Sequence, residues 1–124
     1  MTANTPPVET AVAYHRAWTN RDMDRAMSFI ANDIVCHAPA GILTGAQAFR
    51  QFMEPFSQIL TSSGLIAAFG DDEQALVIYD TSTVLVPDAP GAEWVRVSDG
   101  KIREMKIIFD RLPFEQARRV PPPA

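Results

Sequence analysis

An α+β domain, with helices first and a curved antiparallel (mixed) sheet second, is what the order of hydrophobic periodicities predicts. Three observations predict it. Apolar residues recur at three-and-four spacing up to about residue 59; from Leu65 onward they alternate or run together in short stretches; and turn residues at 70–72, 87–91 and 98–100 separate those later stretches. Helices gathered ahead of a meander must cover one face of its sheet.

The elements follow in order. Over residues 7–20, Val8, Ala11, Val12, Tyr14, His15 and Trp18 mark one face of a first helix, with Thr5 as cap and Pro6 and Pro7 at its start. Asn20, Arg21 and Asp22 break it, and Met23, Ala26, Met27, Phe29 and Ile30 repeat the spacing over a shorter second helix. The two form a helical hairpin. Residues 34–38 read as a strand closed by Pro39, Ala40 and Gly41. Thr44 then precedes a third helix over about residues 46–59, whose buried face carries Phe49, Phe52, Met53 and Phe56 and which Pro55 should kink or end early. Residues 65–69 form a strand, and residues 73–86 form a longer one whose unbroken apolar run predicts contacts on both faces, hence a central place in the sheet. Residues 92–97 and 101–110 complete the meander. A single domain over residues 1–117 is expected, followed by a disordered Pro-rich tail at 118–124.

Composition narrows the function classes. A chain of 124 residues at 47% hydrophobic content supports one core, burying roughly two-thirds of its unfolded surface. Eleven basic against fifteen acidic residues and an isoelectric point near 5.0 offer no attraction to phosphate backbones or anionic membranes, so neither nucleic acid nor a membrane is an expected partner. The opening MTANTPPVET has no basic or apolar leader region, and no apolar run approaches the ~18 residues of a spanning helix. A cytoplasmic protein is the expectation. The single cysteine, Cys36, excludes an internal disulfide and reads as a small buried hydrophobe; with His15 and His37 it makes no ligand cluster, so no metal is expected. Phosphate loops, Cys-x-x-Cys and Gly-x-Ser-x-Gly patterns are absent.

Two acidic residues inside strands point to chemistry. If Asp99-Gly100 is a two-residue loop, Glu93 faces Lys106; if Ser98-Asp99-Gly100 is a three-residue loop, Glu93 faces Met105. The second is preferable, because it gathers Glu93, Val95, Met105, Ile107 and Phe109 on one mostly apolar face and leaves Trp94, Arg96, Glu104, Lys106 and Asp110 on the other. A carboxyl in such a wall has a raised pKa and suits a general acid, or a neutral donor to an oxyanion. The alternative is a Glu that reaches solvent or an arginine. Asp80 interrupts the apolar run of its strand, and either shares the pocket with Glu93 as an acid and base pair or lies on the convex face. Asp110 most simply anchors the exit of the last strand.

The succession of two helices, Ala31-Asn32-Asp33, a strand ending in Pro39 and Gly41, Thr44-Gly45 and a Phe-rich helix, then Glu93-Trp94-Val95-Arg96 and Asp99-Gly100-Lys101-Ile102 running to Phe109-Asp110, resembles the nuclear transport factor 2-like superfamily, and within it the SnoaL-like branch of polyketide cyclase and ketosteroid isomerase relatives. The resemblance covers about residues 8–114. It implies a cone-shaped sheet wrapped around the first helix and open to a ligand at one end, commonly paired as a homodimer through the outer sheet face; Trp94, Ile102 and Ile108 are the apolar residues expected on that face. It implies chemistry without metal or organic cofactor.

The resemblance also sorts candidate residues. In ketosteroid isomerases a tyrosine at the place of Tyr14 and an acid at the place of Glu93 hold an oxyanion, but the general base lies where this chain has Ala38, which argues against steroid isomerisation. His37 is adjacent and, by alternation, turned to the opposite face unless the strand bulges. Limonene epoxide hydrolases place an aspartate where this chain has Ile107, which disfavours epoxide opening. The candidate catalytic residues are therefore Tyr14, His37, Asp80 and Glu93, with Trp18, Phe52, Phe56, Met105, Ile107 and Phe109 as candidate ligand-binding residues. The expected partner is a small apolar molecule. The expected function is a cofactor-independent isomerase, cyclase or lyase acting by proton transfer on a small apolar carbonyl compound, the alternative being a non-catalytic ligand-binding or subunit-association module.

Overall fold

The computed structural model describes residues 5–119 and orders them as α1 (Pro7–Thr19), α2 (Met23–Met27), β1 (Ile30–Ala38), β2 (Gly41–Thr44), α3 (Ala46–Gln58), β3 (Leu60–Gly70), β4 (Gln74–Thr83), β5 (Gly91–Ser98), β6 (Lys101–Phe109) and α4 (Leu112–Arg119). The strands form one curved, open sheet in the order β2-β1-β6-β5-β4-β3. Only β1 and β6 pair in parallel; the other neighbours are antiparallel. Helix α1 lies along the concave face. Its buried side, with Ala11, Tyr14, Ala17 and Trp18, joins a core shared with Ile34, Phe49, Val77, Val95 and Met105. Ser57 of α3 donates to the Trp18 carbonyl at 2.6 Å and ties the two helices together.

The helical hairpin forms as its spacing predicts, with differences at its ends. Pro6, not Thr5, occupies the N-cap of α1, without a side-chain bond. Asp22 caps α2 by accepting from the Arg25 backbone N–H at 3.1 Å, and α2 then stops at Met27 because Ile30 already pairs with Ile102 as the start of β1. β1 is therefore longer than expected. It turns at Ala38 into β2, a short edge strand with no apolar alternation to announce it. α3 runs through Pro55 to Gln58 rather than ending at it.

Two expectations about the sheet are corrected. β4 was expected to be apolar on both faces, yet it alternates: Ala75, Val77, Tyr79, Thr81 and Thr83 are buried while Leu76 and Asp80 are exposed. It has a neighbour on each side but sits one strand from the edge, and β5 and β6 hold the centre. The β5–β6 loop is also shorter than the preferred reading. Ser98 pairs with Lys101 across Asp99-Gly100, both with positive φ of 54° and 73°, as a type I′ turn demands. That loop alone would place Glu93 opposite Lys106. A bulge intervenes: Val97 pairs with Ile102 but Arg96 with Glu104, so Glu93 pairs with Ile107 and Val95 with Met105. The extra residue restores the predicted faces by another route. The two-residue turn, ahead of the bulge, pairs Ile102 with Val97 and so turns it inward, where it is 0% exposed, instead of onto the outer face.

The C-terminal end carries an element that periodicity did not reveal. Asp110 accepts from the Leu112 backbone N–H at 3.0 Å, Arg111 pairs with Glu115 at 3.1 Å, and Phe114 is buried beside Phe56 and Phe109. Arg118 and Arg119, assigned above to a disordered tail, belong to α4; residues 120–124 lie outside the described residues. No helix among the described residues is long and apolar enough to cross a membrane.

Candidate functional site

Glu93 sits mid-strand in β5 between Val77 of β4 and Ile107 of β6, and pleating points it into the concave face. It is 2% exposed. Burial in this wall pushes its carboxyl up to about 8, offset in part by the Trp18 indole N–H. That approach is too loose to be a full hydrogen bond, since Trp18 Nε1 and Glu93 Oε2 are both without a partner among the described residues. Tyr14 Oη and His15 Nδ1 are likewise buried and unpaired. Four orphaned polar atoms around the inner end of α1 are costly unless water or a ligand satisfies some of them.

The titratable neighbours are held in their neutral forms. Burial, with a contribution from the Glu93 charge, raises the phenols of Tyr14 and Tyr79 well above their ordinary value. Desolvation lowers His15 to about 4, with Arg16 adding to the effect, so its imidazole is uncharged at neutral pH. Cys36 is pushed up to about 12 by burial and then by Glu93, which makes it the inert thiol the sequence suggested. His15 packs against Tyr79 with ring centroids 4.8 Å apart and meets Trp18 edge-on at 5.3 Å.

Glu93 opens onto a small chamber of about 30 Å³, room for a water molecule or two. Its walls are Phe52, Met53 and Phe56 of α3, Tyr79, Ala89, Gly91, Ile107 and Phe109 of the sheet side, and Phe114 of α4. Glu93 is the only carboxyl among them. Gly91 is a packing requirement: a Cβ there would lie 2.9 Å from Tyr79 Oη. Phe56, Phe109 and Phe114 pack ring on ring, with centroids 5.7 to 6.4 Å apart. Together with Phe52 they separate the chamber from an outer groove of about 430 Å³ that they also line. The groove, not the chamber, has the size of a small-molecule site.

The predicted site residues divide. Phe52, Phe56, Ile107, Phe109 and Glu93 line the chamber. Trp18 and Met105 do not; both are fully buried behind it, packed into the core. Tyr14 is buried with its hydroxyl unpaired but does not line the cavity. His37 and Asp80 are corrections. His37 pairs with Lys106 on the outer face while Cys36 takes the inner one, and β1 has no bulge at that point to reverse them. Asp80 is exposed on the convex face, because its neighbours Tyr79 and Thr81 occupy the inward positions. No acid and base pair forms with Glu93.

Tyr79 and Phe114 are the site residues that sequence reading missed. Strict alternation in β4 would have turned Tyr79 inward the moment Asp80 was placed outward. The Asp110 cap, Pro113 in a first turn and the Phe114–Ala117 spacing were the available signals for α4. Among the described residues no group of three or more His, Cys, Asp or Glu side chains is arranged to hold a metal.

The curved mixed sheet with helices across its concave face is a nuclear transport factor 2-like fold. The chain belongs to the SnoaL-like domain family, whose sequence signature matches residues 11–105. It is 61% identical to a protein of Kribbella flavida DSM 17836, with a TM-score of 0.90 over 93% of this chain and 95% of that one. Two more distant structures share the fold: an NTF2-like protein of unknown function from Cytophaga hutchinsonii (15% identity, TM-score 0.77, 93% and 99% covered) and a candidate polyketide cyclase from Sinorhizobium meliloti (18%, 0.71, 81% and 94%). No curated protein sequence matches the chain.

Proposed function

We propose that the chamber binds the carbonyl end of a small apolar compound and that the protein catalyses a cofactor-independent proton transfer on it, of the isomerase, cyclase or lyase type. The observation that carries this reading is Glu93, a carboxyl enclosed by aromatic and aliphatic walls and held neutral up to about pH 8. A neutral carboxyl can act at both ends. One oxygen donates its proton to the substrate carbonyl oxygen while the other accepts a proton from the adjacent carbon, so the ketone becomes its enol and the carboxyl regains a proton. No charge is created, which suits a wall that solvates charge poorly. Where the ketone is β,γ-unsaturated, the carboxyl completes an isomerisation by giving its proton to the γ-carbon while its other oxygen takes the enol proton. The protonated phenol of Tyr79, in the same wall, can donate to the same oxygen. A substrate larger than water reaches Glu93 only when the rings of Phe56, Phe109 and Phe114 turn aside.

A specific observation favours the second reading, a non-catalytic ligand-binding or subunit-association module: His37 and Asp80 face outward, leaving one carboxyl for any proton chemistry. Exchange of α-hydrogens distinguishes the two. An aryl methyl ketone incubated with the protein in heavy water and followed by NMR should exchange its methyl hydrogens faster than in buffer alone. That rate should be level below about pH 8 and fall above it, and Glu93→Gln should lower it by about 10² or more. Binding of the ketone without exchange, undiminished in Glu93→Gln, would leave the module reading.

We also propose that the partner copy of a homodimer covers the outer sheet face. Phe69, Leu76 and Trp94 stand in one row across β3, β4 and β5, with Phe69 66% and Ile108 55% exposed. A monomeric mass at micromolar concentration would contradict this. A cytoplasmic setting fits the lone buried thiol of Cys36.

A further inference from the structure

The outer groove shares Phe52, Phe56, Phe109 and Phe114 with the Glu93 chamber, so the two cavities adjoin across these rings. Beyond those rings its walls are Pro39, Ala40, Pro55, Ile59 and Leu85, with Gln51 as the one uncharged polar side chain among the lining residues, and its charged residues are Arg111, Glu115 and Arg118 of the α4 segment. Arg111 and Glu115 satisfy each other at 3.1 Å. Arg118 has no ion-pair partner among the described residues, which leaves the groove's charged rim at +1 in a chain whose net charge is −4. An apolar trough ending in one cation matches an apolar molecule ending in one anion.

We propose that the groove binds the anionic end of an amphipathic small molecule, a carboxylate at Arg118, whose apolar body passes between the phenylalanines toward Glu93. The proposal rests on the reading of Glu93 as the carbonyl site, and it names the substrate class: a keto acid with an apolar body rather than a neutral ketone. Arg suits the task, since its guanidinium stays charged and presents a planar fork to a carboxylate. Because Arg118 is exposed, solvent and salt screen the pair, and the gain is modest.

The test uses the full chain and a series of benzoyl alkanoates of increasing chain length, each compared with its methyl ester, binding being read by calorimetry. At the best length the carboxylate should bind roughly fivefold more tightly than the ester, and the preference should shrink in high salt. Arg118→Glu should abolish the preference without altering ester affinity, and Arg118→Lys should keep most of it. Equal binding of acid and ester at every length, survival of the preference in Arg118→Glu, or no binding by the whole series overturns the proposal. Phenylalkanoates lacking the keto group separate it from the chamber reading. If they bind as well as the keto acids and still prefer Arg118, the Glu93 contact fails and the groove assignment stands; if the ketone matters and the carboxylate does not, the reverse holds.

Discussion

On the concave face of the sheet, Glu93 is enclosed between Val77 and Ile107, its carboxyl raised to about 8 by burial, and the nearby polar atoms of Tyr14, His15 and Trp18 are unpaired. On the convex face, Asp80 stands in water one strand away, and Arg96 lies over the Trp94 ring at 5.4 Å while reaching Glu73 and Glu104. Both acids interrupt apolar strands, and pleat parity alone decides which is enclosed in a wall and which stands in solvent. The concave face accumulates buried polar atoms without partners among the described residues; the convex face leaves its charges to water or to one another and its apolar residues exposed.

The largest expected effect tests that contrast within one strand. Tyr79→Ala should cost roughly 3 to 5 kcal/mol, as loss of a buried aromatic does, whereas Asp80→Ala should stay within about 0.5 kcal/mol. Urea denaturation of the two variants gives both numbers, and a costly Asp80→Ala would break the comparison.

The next effect is in the pH dependence of stability. Folding raises Glu93 from 4.5 to about 8, so the folded state holds its proton more tightly than the unfolded chain. Its contribution is full below about pH 4.5 and is lost as pH rises through about 8. His15 acts oppositely, lowered from 6.5 to about 4, so its contribution is present above 6.5 and lost as pH falls through 4. Relative to Glu93→Gln, the wild type should therefore lose a few kcal/mol between pH 5 and 9, read from denaturation midpoints across that range. A parallel pair of curves would place Glu93 in an ordinary environment.

The smallest effect sharpens the packing of the chamber. Gly91→Ala puts a methyl group 2.9 Å from Tyr79 Oη and 3.0 Å from its ring carbons. The ring must shift, at a cost of about 1 to 3 kcal/mol. Tyr79→Phe in the same background removes the hydroxyl clash and should recover part of that loss.

Much of this contrast was legible in the chain. The switch from three-and-four spacing to alternation placed α1, α3 and the meander, and the apolar neighbours of Glu93 identified it as a wall residue. Other features depended on geometry that pattern does not encode. The two-residue turn at Asp99-Gly100 and the bulge at Arg103 offset each other for Glu93 but not for Ile102, so one prediction survived and its neighbour failed. Asp80 was ambiguous because Leu76 and Ile78 supply apolar residues to the convex face of β4 as well, hiding its alternation. β2 and α4 are short and carry only a few buried side chains, so their pattern is weak even though α4 supplies Phe114, the ring that closes the chamber.

The protonation state of Glu93 is open to direct measurement. With glutamate labelled at its side-chain carboxyl carbon, and the Glu93 resonance assigned by its loss in Glu93→Gln, an NMR titration of the apo protein should show that carboxyl titrating near pH 8. A midpoint in the ordinary glutamate range, about 4.3, would contradict the account of Glu93 as the neutral acid of the site.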